Sequence, residues 1–116
     1  MNCLFLRRSY PELKVDVTVT GTGNSTYCYA TIGGTEVTAA GAFTVSVGDT
    51  ITFGVYGSSK YSGSVKIDGT TVLTASSSAT GTYDWAVPGG ISSITIAMTY
   101  TSSPTRRHGQ IVVTTA

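Results

Sequence analysis

An all-β domain, folded as an antiparallel sandwich of two sheets, is what this sequence predicts, and three observations lead there. The first is a pattern that occurs twice: Ile32-Gly33-Gly34-Thr35-Glu36-Val37 returns as Ile67-Asp68-Gly69-Thr70-Thr71-Val72. Each copy is followed by two alternating segments. In the first they are Phe43-Thr44-Val45-Ser46-Val47 and Ile51-Thr52-Phe53-Gly54-Val55; in the second, Tyr83-Asp84-Trp85-Ala86-Val87 and Ile94-Thr95-Ile96-Ala97-Met98. The second observation is that β-branched residues dominate the apolar runs, while helical spacing with caps is absent. The third is turn chemistry between about ten short, closely spaced strands, the signature of a sandwich or small barrel. The duplication favours the sandwich, because each block can lend strands to both sheets.

Residues 1–12 read as an extended N-terminal arm ending in Tyr10-Pro11-Glu12, where proline blocks helix and marks a turn into the first strand. The sandwich domain spans 13–116. Val15, Val17 and Val19 alternate with Asp16, Thr18 and Thr20, which predicts a half-buried strand. Gly21 to Asn24 turns it toward a strand from Tyr27 to Ile32. Gly33-Gly34 and Asp68-Gly69 are two-residue hairpin signals, since those turns need positive φ. Gly48-Asp49 and Pro88-Gly89-Gly90 are expected to close the second hairpin of each block. Segments 57–63, 75–80 and 102–109 read as polar loops, and a last strand is expected from Gln110 to Thr115. Trp85, in phase with Tyr83 and Val87, is expected at the centre of the core with Phe43 and Phe53 around it.

At 116 residues the chain is long enough to bury roughly two thirds of its unfolded surface in one core. Charged residues make up 11%, against about 25% in an average soluble domain. Ser and Thr together number 35, so the surface is hydroxyl-rich rather than ionic. Such a surface does little to repel neighbouring sheet edges; it suits a protein that lives in an assembly or outside the cell. A net charge of +1 gives no general attraction to nucleic acid or to an acidic membrane. The start of the chain does not read as a secretion signal, because its basic pair follows a short apolar run. No transmembrane span is expected either, so export would need lysis or packaging into a particle. Cys28 alternates in phase with Ala30 and Ile32 and is expected to pack inward; with Cys3 it makes no disulfide framework.

No catalytic, metal-binding or cofactor-binding residues emerge. Acid–base catalysis needs paired, positioned titratable groups. Asp49 and Asp68 fall in turns, where short carboxylates bond nearby backbone N–H groups. Asp84 is on a strand and reads as a surface or interface residue. His108 has no nucleophile at a recognisable spacing and reads as a loop cation beside Arg106 and Arg107. Two Cys and one His match no zinc pattern, and no Asp-rich loop suggests calcium. The chain reads as non-enzymatic.

Two features could carry binding. Leu4, Phe5 and Leu6 in the arm would form an exposed apolar patch on an isolated sandwich; they either engage a neighbouring subunit or fold back over an edge of their own domain. Arg7, Arg8, Arg106 and Arg107, near Tyr10 and the last loop, could make charge-assisted bonds to a partner's carboxylates or remain solvated. The second feature is the tyrosines: Tyr27, Tyr29, Tyr56 and Tyr61 offer rings with a hydroxyl rim, suited to protein contacts or to sugar stacking.

The run from Val17 to Thr35, VTVTGTGNSTYCYATIGGT, followed by Val45-Ser46-Val47-Gly48-Asp49-Thr50-Ile51, resembles small immunoglobulin-like proteins encoded among the structural genes of tailed bacteriophages. The resemblance covers most of residues 15–115 and rests on strand and turn motifs. It implies an immunoglobulin-like sandwich and a virion component present in many copies, displayed on the capsid or the tail, with no catalytic residues to carry over. The expected role is a capsid decoration or auxiliary protein; the alternatives are a tail or neck protein and an adhesion module for host-surface glycans. Expected partners are the major capsid or tail protein and copies of the chain itself.

Overall fold

The computed structural model describes residues 13–25, 27–56, 61–76, 81–102 and 107–116, with the backbone alone at 61, 62, 75, 76, 102, 107 and 108. The described residues form ten strands and no helix: β1 (Lys14–Thr22), β2 (Cys28–Ile32), β3 (Thr35–Val37), β4 (Ala39–Ser46), β5 (Thr50–Val55), β6 (Tyr61–Ile67), β7 (Thr70–Ser76), β8 (Gly81–Ala86), β9 (Ser93–Ser102) and β10 (Arg107–Thr115). They make two sheets, one of six strands in the order β4-β1-β9-β10-β6-β7 and one of four in the order β3-β2-β5-β8. One apolar core joins the inner faces. The arm, residues 1–12, lies outside the described residues.

The glycine signals at 33–34 and 68–69 close hairpins β2–β3 and β6–β7. Both central residues of each turn have positive φ: 60° and 80° at Gly33 and Gly34, 50° and 86° at Asp68 and Gly69. That is the turn whose twist matches the flanking strands, and a short side chain such as Asp tolerates its first position. The other two expected hairpins do not form. β4 and β5 belong to different sheets, as do β8 and β9, so Gly48-Asp49 and Pro88–Gly90 are crossings from one sheet to the other. Two alternating strands can bury their apolar faces by stacking as well as by pairing. Here they stack. The first crossing is fixed to the end of β8 by Gly48 N–H donating to Val87 O (2.9 Å) and Val87 N–H donating to Asp49 O (2.8 Å).

The duplication is real in topology, with the sheets exchanged. Strands β2, β3 and β5 of the first block lie in the four-stranded sheet and β4 in the other; their counterparts β6, β7 and β9 lie in the six-stranded sheet and β8 in the other. Without β1 and β10, the larger sheet would read β7-β6-β9-β4, the counterpart of β3-β2-β5-β8. The first and last strands are therefore insertions into a duplicated frame. They also explain why the sandwich is not antiparallel throughout, as the sequence predicts: β1 runs parallel to β9, and β10 parallel to β6. Each inserted strand is antiparallel to one neighbour, β4 or β9. Those neighbours' own order forces it parallel to the other. β10 also draws 107–109 and 61–63 into a ladder, which is why strand begins earlier than the polar sequence suggests.

Alternation fills the core. Val15, Val17 and Val19 of β1, Cys28, Ala30 and Ile32 of β2, Ile51, Phe53 and Val55 of β5, and Ile94, Ile96 and Met98 of β9 are all buried. Trp85 is not at the centre. It shares a face with its partner Ile51, but β8 is an edge strand, as is β4 with Phe43, so both rings are only half-buried. The fully buried aromatic is Phe53, flanked in register by Ala30 and Tyr83, with its ring 6.3 Å from that of Trp85.

Candidate functional site

Strand direction gives the sandwich two unlike ends. At one lie the tight turns 33–34, 47–49, 68–69 and 87–92, with Leu13 and Ala116 tied to them: Val47 N–H donates to Leu13 O (3.0 Å) and Ser92 N–H to Ala116 O (2.7 Å). At the other lie Gly23 to Ser25, Tyr27, Tyr56, and the strand ends at Tyr61, Ser76, Gly81, Ser102 and Arg107. The turn end is lined by Val47, Val87 and Ile91; the opposite end is closed by tyrosines.

Of the four tyrosines singled out in the sequence, two come together. Tyr27 meets Tyr56 edge-on at 5.2 Å between centroids, and Tyr100 stacks on Tyr27 at 5.7 Å with the planes 4° apart. All three are half-buried. Tyr100 was not anticipated; its signal was its phase with Ile94, Ile96 and Met98, which points it inward. Tyr29 lies elsewhere, on the outer face of the four-stranded sheet, its ring over its cross-strand partner Gly54, where any Cβ would collide with that ring. Tyr61 and Arg107 begin β6 and β10 and pair in register, but their side chains lie outside the described residues, as does that of His108. Leu4, Phe5, Leu6, Arg7, Arg8, Tyr10, Arg106 and Cys3 lie outside them altogether.

The carboxylates serve turns and cross-strand pairs. Asp49 Oδ2 accepts from Ser46 N–H (2.9 Å), a local turn bond. Asp84 Oδ1 accepts from Thr52 Oγ1 (2.8 Å) on the outer face of the four-stranded sheet. Asp68 reaches further than a turn residue needs: its Oδ1 accepts from Thr115 N–H (2.8 Å) and its Oδ2 from Thr115 Oγ1 (2.6 Å), fastening the β6–β7 turn to the end of β10. The Thr115 hydroxyl and then its N–H hold the Asp68 carboxyl below its ordinary value. A depressed folded-state pKa contributes stability above the unfolded pKa, about 4 for Asp, and that contribution is lost as pH falls through the folded value. Asp68→Asn keeps the positive φ but does not titrate. The wild type is expected to melt higher than Asp68→Asn at pH 6 and to lose that advantage progressively as the pH is taken down through and below the ordinary carboxylate range; a constant difference over that descent would reject the assignment.

Cys28 is fully buried, and its Sγ–H points at the carbonyls of Gln110 (3.7 Å) and Thr99 (3.9 Å). Burial pushes the thiol up to about 11. It is a packing residue with no thiolate to react at neutral pH. Among the described residues no three of His, Cys, Asp and Glu converge as a metal cluster would require.

The remaining surfaces are the two outer faces. That of the four-stranded sheet presents Tyr29, Thr31, Glu36, Thr52, Thr82 and Asp84. That of the six-stranded sheet is wider: in register it carries the row Thr18, Thr95, Thr114, then Thr20, Ala97, Val112, Lys66, then Thr22, Thr99, Gln110, Ser64, with Lys14 and Asp16 at the start of β1. The threonines are exposed, and Ala97, Val112 and Gln110 half-buried. Sequence reading missed this surface because it depends on which strands are neighbours. Comparison with protein-family models, curated proteins and solved structures finds no match to this chain.

Proposed function

We propose that this chain is a bacteriophage virion structural protein: an immunoglobulin-like sandwich that docks on the particle through its first 12 residues and displays the domain, most directly as a capsid decoration protein. It works by contact and not by catalysis, and its partners are the major capsid or tail protein and other copies of itself. The observation that carries the reading is a scaffold whose side chains are committed to holding sheets together. Asp49, Asp68, Asp84 and Cys28 are spent on turns, cross-strand bonds and packing, and the surface is rich in hydroxyls. The immunoglobulin-like assignment draws on two sheets around one core with strands crossing between them, and the inserted first and last strands are this chain's variation on it. Docking by the arm draws on the sequence, where Leu4, Phe5, Leu6, Arg7 and Arg8 precede a domain with few charges.

The test is deletion of residues 1–9. The truncated chain is expected to remain a folded domain and to be missing from purified particles; normal incorporation would reject docking by the arm. Copy number in wild-type particles separates the positions: hundreds of copies fit capsid or tail-tube decoration, and six or twelve a neck or tail-tip ring. The second reading, an adhesion module for host-surface glycans, draws on the Tyr27–Tyr56–Tyr100 cluster; it requires glycan retention that tyrosine replacement removes without affecting assembly.

A further inference from the structure

We infer that β4 is an association edge: it pairs with β4 of a second copy of this chain, antiparallel about a two-fold axis, so that the two six-stranded sheets run on as one. The inference rests on the backbone of the domain and holds whether or not the arm docks on a particle. An open sheet edge is a template for another strand, and native edges are guarded by shortness, charge or bulges. Three of the four edges carry such a guard. β3 is three residues long and holds the exposed Glu36, β8 holds the exposed Asp84, and β7 is interrupted at Val72, which is skipped between the Val65–Leu73 and Lys66–Thr71 pairs. β4 has eight residues with no charge and no proline, and the irregularity in its ladder falls on β1, where Thr20 and Gly21 stand against Ala40 alone.

The groups left open on β4 can be named, and they select the occupant. Val47 N–H donates to Leu13 O (3.0 Å), so in the regular register that follows, Val45 and Phe43 bond to β1 while Thr44 and Ala42 turn their N–H and C=O away from it. Among the described residues no strand lies on that side. Ser46 faces the same way but is taken: its N–H donates to Asp49 Oδ2 (2.9 Å) and its C=O accepts from Asp49 N–H (3.0 Å). What fits a row of backbone donors and acceptors is an extended strand, and the open stretch from Ala42 to Thr44 is complementary to itself. Setting Ala42 against the partner's Thr44, and Thr44 against the partner's Ala42, forms about four hydrogen bonds and puts Phe43 beside the partner's Phe43 at the axis. That ring is only half-buried, laid along its own strand over Gly41, where a Cβ would stand 3.2 Å from it; a cross-strand aromatic pair covers what the domain leaves open. No like charges meet. At about 3.4 Å per residue and about 4.8 Å per strand, Asp16 and Lys14 of β1 lie about 16 Å and about 25 Å from their copies, beyond the ~8 Å screening length. Lys66 is on β6, three strands further from the edge than β1.

Sedimentation of the full chain from about 1 µM to about 1 mM should show a reversible monomer–dimer equilibrium. Ala42→Pro comes directly after Gly41 and removes an N–H that the β1 ladder does not use, so the monomer keeps its fold. It should weaken the dimer at least about tenfold, as should Ala42→Lys, while Thr74→Lys on the β7 edge leaves it unchanged. Amide exchange of the wild type gives a reading that needs no variant. The Ala42 and Thr44 N–H groups should exchange freely in dilute protein and slow as the dimer forms, while those of Phe43 and Val45 are protected throughout. A monomer at every concentration, association without slowing at Ala42 and Thr44, association indifferent to both Ala42 variants, or association weakened by Thr74→Lys would overturn the inference; the last would mean head-to-tail joining of β4 to β7. Slowing that persists on dilution, or that is lost with residues 1–9, would overturn it by giving the edge to the arm, and docking on the particle would still be judged by incorporation of the truncated chain.

Discussion

Phe53→Ala is expected to destabilise the fold by about 3–5 kcal/mol, the range for removing a buried aromatic side chain, and more than Trp85→Ala. Phe53 is fully buried in β5, between Ala30 on β2 and Tyr83 on β8. Ala30 has nothing to extend into the space left behind, and both neighbouring strands are fixed by their ladders, so the cavity cannot close. Trp85 is larger, but its edge strand leaves part of the ring in solvent, and its removal leaves a cleft that water can enter. Urea unfolding of the two variants measures the order, with the midpoint read at constant m-value. A larger loss for Trp85→Ala would place the core centre on β8.

That order is the reverse of what the residues suggest alone, and the reason is general to this chain. Alternation told which side chains point inward: Val15, Val17 and Val19, or Ile94, Ile96 and Met98, could be read without coordinates because a strand's two faces are a local property. The 33–34 and 68–69 hairpins were legible for the same reason, since positive φ at two adjacent residues is a local demand. How deeply a side chain is buried depends on where its strand sits in the sheet. Trp85 and Phe53 share a phase, and only the placement of β8 at an edge separates them. Likewise nothing near β1 or β10 announces that each slips between two strands of a duplicated frame, which is what makes two ladders parallel and brings the Thr18, Thr95 and Thr114 row together. Tyr27 and Tyr56 could be singled out by type; that they meet each other and Tyr100, while Tyr29 covers Gly54, is again a matter of register across the fold.

The distance between the sheets is set by small residues, and Gly63 gives the sharpest test of it. Gly63 on β6 faces Val55 on β5 across the core; a Cβ built on it would stand 2.7 Å from Val55 Cβ and 3.2 Å from each methyl. Val55 is 1% exposed and branches at the atom in conflict, so no rotamer removes the overlap. The sheets must separate. Gly63→Ala is therefore expected to cost about 1–3 kcal/mol, the range for overpacking, although alanine is the smallest possible addition and the position lies within a strand. Val55→Ala alone should also destabilise, by about 1–2 kcal/mol, at about 0.8 per buried methylene-sized group. Together the two changes exchange one side chain for another across the same gap, so the double variant should be more stable than the sum of the single losses by at least about 1 kcal/mol, a coupling well above the scatter of independent sites. Additive losses in the unfolding cycle would mean that Gly63 and Val55 do not meet. Because this pair joins strands from different blocks and different sheets, its coupling reads the packing of one half of the molecule on the other, which no local sequence signal specifies.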